Sequence, residues 1–325
     1  MNDSFHSSFV SVQWIFLLQN GLLFPMDNIS PADELRSLED RINALLPPRY
    51  SGCFEDVSPT SMGSATLRYD NDGKVVWGEI WTTFCHLALA GGPPHRGRLL
   101  GPVTAEEIEA SPQQYEQVVA ELSRALKLCV NLPLIPAKQP GWITLQCKLE
   151  ATAAWLVRAI VAENVIARHD GAILYVPAGP NFRVEKEIKN VVVSVAKTCH
   201  YLFDHLEPEQ QPMGAAPALV GPPLPHEILA KCEQYQQAAA SLQRCIEEST
   251  GMVTRIAESP GWVGMNCSDE ETAVWLLRAV AVGDILVRRE EATLYVPIDL
   301  SASDAIIRTT ATVTKAHFLS RLRSK

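Results

Sequence analysis

The sequence predicts an α+β fold made of two tandem copies of an α-β-α-β-β-α unit, the first preceded by a non-duplicated β-hairpin/helix segment. Three observations predict it. PGWITLQCKLEATAAWLVRAIVAENVIARHDGAILYVP (140–177) aligns without a gap on PGWVGMNCSDEETAVWLLRAVAVGDILVRREEATLYVP (260–297), with identity at nearly half the positions. Within both stretches the apolar spacing changes from short strand runs to a helical period and back at matching places. Between them, EPEQQPMGAAPALVGPPLP (207–225) has the Pro, Gly and Ala content of a linker.

Taken in order, residues 1–25 have an apolar middle, but no Lys or Arg precedes it, and Gln13, Gln19 and Asn20 interrupt it. The stretch meets the requirements of neither a signal peptide nor a membrane span. It reads as a disordered or non-native leader, with Met26 as an alternative start. A first domain is expected over 26–206. Its first helix opens at Ser30, whose hydroxyl can cap, with Pro31 at the first position and Asp33 in the first turn, and it ends before Pro47-Pro48. SATLRYDNDGKVVWGEIW then places a turn at Asn71-Asp72-Gly73, and residues 75–90 read as a helix rich in Trp and Phe.

The first unit follows. A helix over 112–129 carries Val118, Val119, Leu122 and Leu126 on one face. A strand covers 142–147 and an amphipathic helix 150–163. A hairpin turns at His169-Asp170-Gly171, and a last helix runs over 184–206. The second unit, 226–325, repeats this order. Its second helix is expected to open on a Ser268/Glu271 capping box, and His317-Phe318-Leu319 matches His200-Tyr201-Leu202 after a short deletion.

The chain has 325 residues, a net charge of -9, 47% hydrophobic and 20% charged residues. That is the composition of a protein with a real core. It argues against nucleic acid or an anionic membrane surface as partner, because phosphates demand clustered Lys and Arg. Eight cysteines are scattered singly, the pattern of a reduced, cytoplasmic protein rather than a disulfide scaffold.

Comparing the two stretches separates fold from candidate function. Both keep Pro-Gly-Trp, a strand cysteine (Cys147, Cys267), Trp-x-x-Arg (Trp155/Arg158, Trp275/Arg278) and Leu-Tyr-Val-Pro. The expectation there is structural: buried thiols, and a core tryptophan with an arginine pairing a nearby carboxylate. Only the first unit carries AGPNFRVEKEIKNVVVSVAKTCHYL. Lys186, Asn190 and Lys197 share a helix face, with Arg183 and Lys189 nearby, as a site for an anion would require. The alternative is a solvated face balanced by Glu185 and Glu187. In FCHLALAGGPPHRG (84–97), Gly91-Gly92-Pro93-Pro94 is a stiff helix stop, and His95, Arg96 and Arg98 add groups that clamp carboxylate or phosphate. Cys85, His86, Cys199 and His200 form a candidate metal-ligand set. Adjacent helical residues point about 100° apart, so a Cys-His dipeptide poorly serves one metal, and a structural His200 is the alternative.

SMGSATLRYDNDGKVVWGEIW, FCHLALAGGPPHRG, LVRAIVAENV and EKEIKNVVVSVAKTCHY resemble stretches of a poorly characterised bacterial family. Its members are labelled sirohydrochlorin cobaltochelatase-like and are associated with cobalamin and sirohaem biosynthesis. The resemblance covers residues 46–206. It implies a tetrapyrrole-related ligand, for whose carboxylates Arg96, Arg98, Lys186, Lys189 and Lys197 would be suitable partners; the cofactor is left open, with a metal or a tetrapyrrole as the candidates. The function expected is therefore a cytoplasmic binding protein or enzyme for a small anionic metabolite, its site in the N-terminal half. A homo-oligomer is compatible with the sequence. The alternative is a non-catalytic scaffold or protein-interaction module built from a duplicated unit.

Overall fold

The computed structural model describes residues 30–50, 66–83, 86–95, 97–301 and 304–323. The leader, Cys85 and Arg96 lie outside the described residues. Helix α1 (Pro31–Leu45) begins as its sequence requires: the Ser30 hydroxyl accepts the Asp33 amide at 3.2 Å, Pro31 occupies the first turn, and Leu38 and Ile42 are buried. The chain leaves the helix at Leu46, ahead of Pro47. Tyr69 and Val75 bridge around a turn in which the Asp70 carboxylate accepts the amides of Asp72 and Lys74. Residues 75–90 depart from the helix expected there. The described residues of this segment form two short 3-10 stretches, Trp77–Thr83 and Ala88–Ala90, because tertiary partners claim them. Val75 pairs with Tyr69, the Trp77 indole donates to Glu121 at 2.7 Å, and the Ala88 amide donates to Glu163 at 2.7 Å.

Two four-stranded antiparallel sheets organise the rest. The first comprises β1 (Leu134–Ile135), β2 (Trp142–Gln146), β3 (Arg168–Asp170) and β4 (Ile173–Pro177), in the order β1-β2-β4-β3. The second comprises β5 (Thr254–Ile256), β6 (Trp262–Asn266), β7 (Arg288–Glu290) and β8 (Thr293–Pro297), in the order β5-β6-β8-β7. Registers correspond: Trp142 faces Pro177 and Thr144 faces Tyr175, while Trp262 faces Pro297 and Gly264 faces Tyr295. The sequence reading missed β1 and β5. In β1 the apolar run is two residues long and lies between Pro133 and Pro136, which suits an edge strand and hides it from periodicity.

Helices α2 (Ala105–Ala110), α3 (Pro112–Cys129), α4 (Glu150–Ala162) and α5 (Lys189–Asp204) accompany the first sheet. The first turn of the expected 184–206 helix is a π-helical segment, Val184–Ile188, that feeds α5. Helices α6 (Pro225–Ala230), α7 (Cys232–Thr250), α8 (Glu270–Ala281) and α9 (Ala305–Arg323) accompany the second. The α8 cap differs from expectation. Asp269, in an extended conformation, accepts the Thr272 amide at 2.7 Å, and the Ser268 hydroxyl donates to Asp269 instead of capping. Tyr115 and Tyr235 hold the turns before β2 and β6, each accepting a glycine amide (Gly141 at 2.8 Å, Gly261 at 3.0 Å).

One apolar core runs through both halves. Helix α1 precedes the first sheet but packs on α8 and α9, where Glu34 meets Lys315 and Arg41 donates to the Val282 carbonyl. Trp155 is buried, its indole donating to the Leu45 carbonyl at 3.1 Å, and Arg158 pairs with Asp284 of the other half. The core tryptophan and paired arginine expected from Trp-x-x-Arg are therefore present in the first stretch, with the carboxylate supplied across the halves. In the second, Trp275 is buried, but where the expectation was a carboxylate, Arg278 donates to the Ala90 carbonyl. No helix among the described residues is long and apolar enough to cross a membrane.

Candidate functional site

The 86–95 segment lies against α5. Gly91, with φ +99, closes the Ala88–Ala90 turn, and the Gly92 amide donates to the Leu87 carbonyl. Gly92 sits so close to the preceding strand of chain that a Cβ there would lie 2.1 Å from the His86 carbonyl oxygen. This turn presents the Ala88 amide to Glu163, at the end of α4. Glu163 also receives the Lys197 ammonium from α5 at 2.6 Å, and both side chains are 2% exposed. A buried ion pair is tolerable when each member has further hydrogen bonds. Here Glu163 has the amide and Lys197 also approaches the His86 carbonyl at 3.4 Å.

The expected loop–helix juxtaposition exists. Asn190 approaches His95 Nδ1 at 3.4 Å, and a Cβ on Gly97 would stand 4.0 Å from Lys186 Cε. The groups themselves are used differently from the anion-site expectation. Lys197 is closed on Glu163. Arg183 pairs with Glu187 at 3.0 Å, with Lys186 at the edge of that pair, while Glu185 accepts from the Tyr69 hydroxyl. Lys189 is buried, and desolvation lowers its pKa. His95 Nε2 lies 2.8 Å from the Asn164 carbonyl, which can only accept. Nε2 therefore carries the proton, and Nδ1 accepts from Asn190. Both ring nitrogens of His95 are thus committed to protein partners. Arg98 is exposed.

The described members of the candidate metal set, His86, Cys199 and His200, do not converge with one another. Cys199 faces the core, where burial pushes its thiol pKa up, while His200 on the adjacent position turns toward solvent and bonds Asp204 at 2.7 Å. This is the divergence that helical geometry dictates. His86 bonds Tyr50 at 3.0 Å, and Tyr50 donates to Tyr201 at 2.8 Å. Among the described residues no three His, Cys, Asp or Glu side chains converge as a metal site.

Sequence reasoning missed the contribution of the second half. Arg278 donates to the Ala90 carbonyl, Arg289 to the Gly92 carbonyl at 3.3 Å, and Arg288 to Asn164 Oδ1 at 3.0 Å. All three are at most 4% exposed. Arg288 also lies over the Tyr295 ring at 3.9 Å, and Arg168 likewise lies over Trp142 at 4.6 Å and Tyr175 at 4.9 Å. Glu163 was missed too, though a signal for it existed. Aligned on the second half, Glu163 falls on Gly283 and Lys197 on Thr314, so both charges are lost together. Gly283 has no room for a side chain, since a Cβ there would meet Thr312 at 2.7 Å.

A cleft of 640 Å³ opens where the halves meet. It is lined by Arg98, Leu100, Pro102 and Phe182 from the first half and by Pro222, Pro223, Leu224 and Trp262 from the second. Residues 222–225, at the end of the stretch expected as linker, thus line this cleft, and just ahead of them Val220 bridges Ile285. The Trp262 indole N–H is buried with no acceptor among the described residues. The charged lining residues are Arg98, Glu107, Glu187 and Glu258. Glu187 is held by Arg183, and Glu107 accepts the amide of Thr104, whose hydroxyl caps α2. One arginine among three carboxylates does not fit a macrocycle bearing many carboxylates.

Fold and cleft together define a two-sheet α+β protein with a ligand-sized crevice between its halves. No family model, curated protein or solved structure matches the chain.

Proposed function

We propose that this protein binds a small molecule with an apolar body and a single anionic group, in the cleft between its two halves. The observation that carries the reading is the composition of the cleft. It is of ligand size, its walls are proline, leucine and aromatic side chains, and Arg98 has no ion-pair partner among the described residues. Trp262, whose buried N–H has no acceptor among the described residues, is one of the aromatic lining residues. We further propose that the halves descend from one duplicated unit, which the matching strand orders support. A cytoplasmic location suits the six unbonded cysteines among the described residues.

The test uses 1-anilinonaphthalene-8-sulfonate, an aromatic body carrying one anionic group, followed by its fluorescence. Binding at one equivalent, weakened roughly tenfold by Arg98→Glu and by Phe182→Ala, is expected, a charged hydrogen bond contributing about 1.5–3 kcal/mol. Binding that neither substitution changes overturns the assignment. A second reading, a scaffold whose halves merely brace each other, is favoured by the arginine bonds across the junction. It predicts no saturable binding in the cleft.

A further inference from the structure

The C-terminus of α5 carries a second arrangement, independent of the cleft. His200 stands in the last turn and His205 is the residue at which the helix ends, its amide still bonded to the Tyr201 carbonyl. Their Nε2 atoms lie 3.0 Å apart, and their rings meet edge to face with centroids 4.6 Å apart. His200 Nδ1 is fixed by Asp204 Oδ2 at 2.7 Å. The carboxylate can only accept, so Nδ1 carries the proton and the Nε2 lone pair is directed at His205. Two imidazole nitrogens brought this close, one ring oriented through its far nitrogen by a carboxylate, is the arrangement by which proteins present histidine to a metal.

We propose that His200 and His205 form a two-histidine site for a borderline divalent transition-metal ion (Ni²⁺, Cu²⁺ or Zn²⁺), with Asp204 as the positioning residue and water completing the coordination. Imidazole is the ligand such ions prefer among the available side chains. His200 is 32% exposed, so an ion has access from solvent. The last carbonyls of α5 and the Asp204 carboxylate favour a cation here. One charge opposes it: Arg49, which lies over the Tyr50 ring at 5.1 Å and acts electrostatically on His205. On binding, the proton held between the two Nε2 atoms moves, by exchange through solvent, to Nδ1 of His205, so both rings stay neutral, both Nε2 lone pairs are free for the metal, and no net proton is released.

Equilibrium dialysis of the full chain against NiCl₂, with ZnCl₂ in parallel, tests this. One equivalent is expected to bind. His200→Gln and His205→Gln should each weaken it at least tenfold, and Asp204→Asn by roughly 10–100-fold, the usual effect of removing an orienting carboxylate. His169→Gln should leave it unchanged, and Arg49→Ala should tighten it, an effect that a purely structural role for these residues would not produce. Circular dichroism of each variant confirms that α5 remains folded. Absence of saturable binding, or binding equal in the wild type and the His205→Gln variant, overturns the proposal.

Discussion

At the scale of single residues, the buried Lys197–Glu163 pair is the strongest constraint. Removing one member leaves an uncompensated charge in the interior, which costs about 3–5 kcal/mol. Urea unfolding should show a loss of that size for Lys197→Met. Glu163→Gln keeps an acceptor for the Ala88 amide but strands the ammonium, and should behave alike. The double variant should lose less than either single change. Additive losses would mean that the two side chains contribute separately, and that the pairing geometry contributes little. A second residue-scale expectation concerns acid. Burial raises the Glu187 pKa, but the Arg183 side chain and amide outweigh it and bring it from 4.5 to about 2. The folded value lies below the unfolded one, so this contribution is present above pH 4.5 and fades as pH falls toward about 2. Replacing Arg183 with Ala should flatten that part of the acid limb in urea midpoints measured across this range.

At the scale of elements, long periodic segments were legible and short or tertiary-claimed ones were not. Helix α1 carries its own start signals, and α3 its own apolar face, so both stand where the sequence predicts. Residues 75–90 have helical spacing, yet Trp77 and the Ala88 amide are taken by Glu121 and Glu163, which the local pattern cannot show. The Gly91-Gly92 turn was legible as a stop but not as a close approach of backbone to backbone. Gly92→Ala should therefore destabilise by roughly 1–3 kcal/mol, the usual cost of overpacking. Gly78→Ala, with open space around it, should be nearly neutral in the same thermal-unfolding series. Equal effects at both positions would remove the case for a strained turn.

At the scale of the molecule, the halves hold each other through charged side chains set in an apolar junction. Arg158 reaches Asp284, while Arg278, Arg288 and Arg289 reach backbone and side-chain oxygens of the first half. Asp284→Ala should cost about 1.5–3 kcal/mol, as expected for a hydrogen bond to a charged group. If the junction couples the halves, unfolding stays a single transition in the wild type and separates toward two in the variant, by fluorescence and circular dichroism together. Coincident single transitions in both would show that the apolar core alone joins them. The sequence by itself determined the α+β class, the correspondence between the two stretches and the main helices, because these depend on local propensity and on a pattern written twice. It also marked the 91–98 loop and α5 as neighbours, a relation visible as polar residues retained in one stretch only. Only the tertiary structure decided which charges are available. Lys197 is closed on Glu163, His95 on Asn164 and Asn190, and the second half supplies the arginines, because a side chain's partners are fixed by packing between segments 34 to 197 residues apart. The same packing made the cleft: its lining residues near Leu100 and near Pro222 meet only when both sheets are in place.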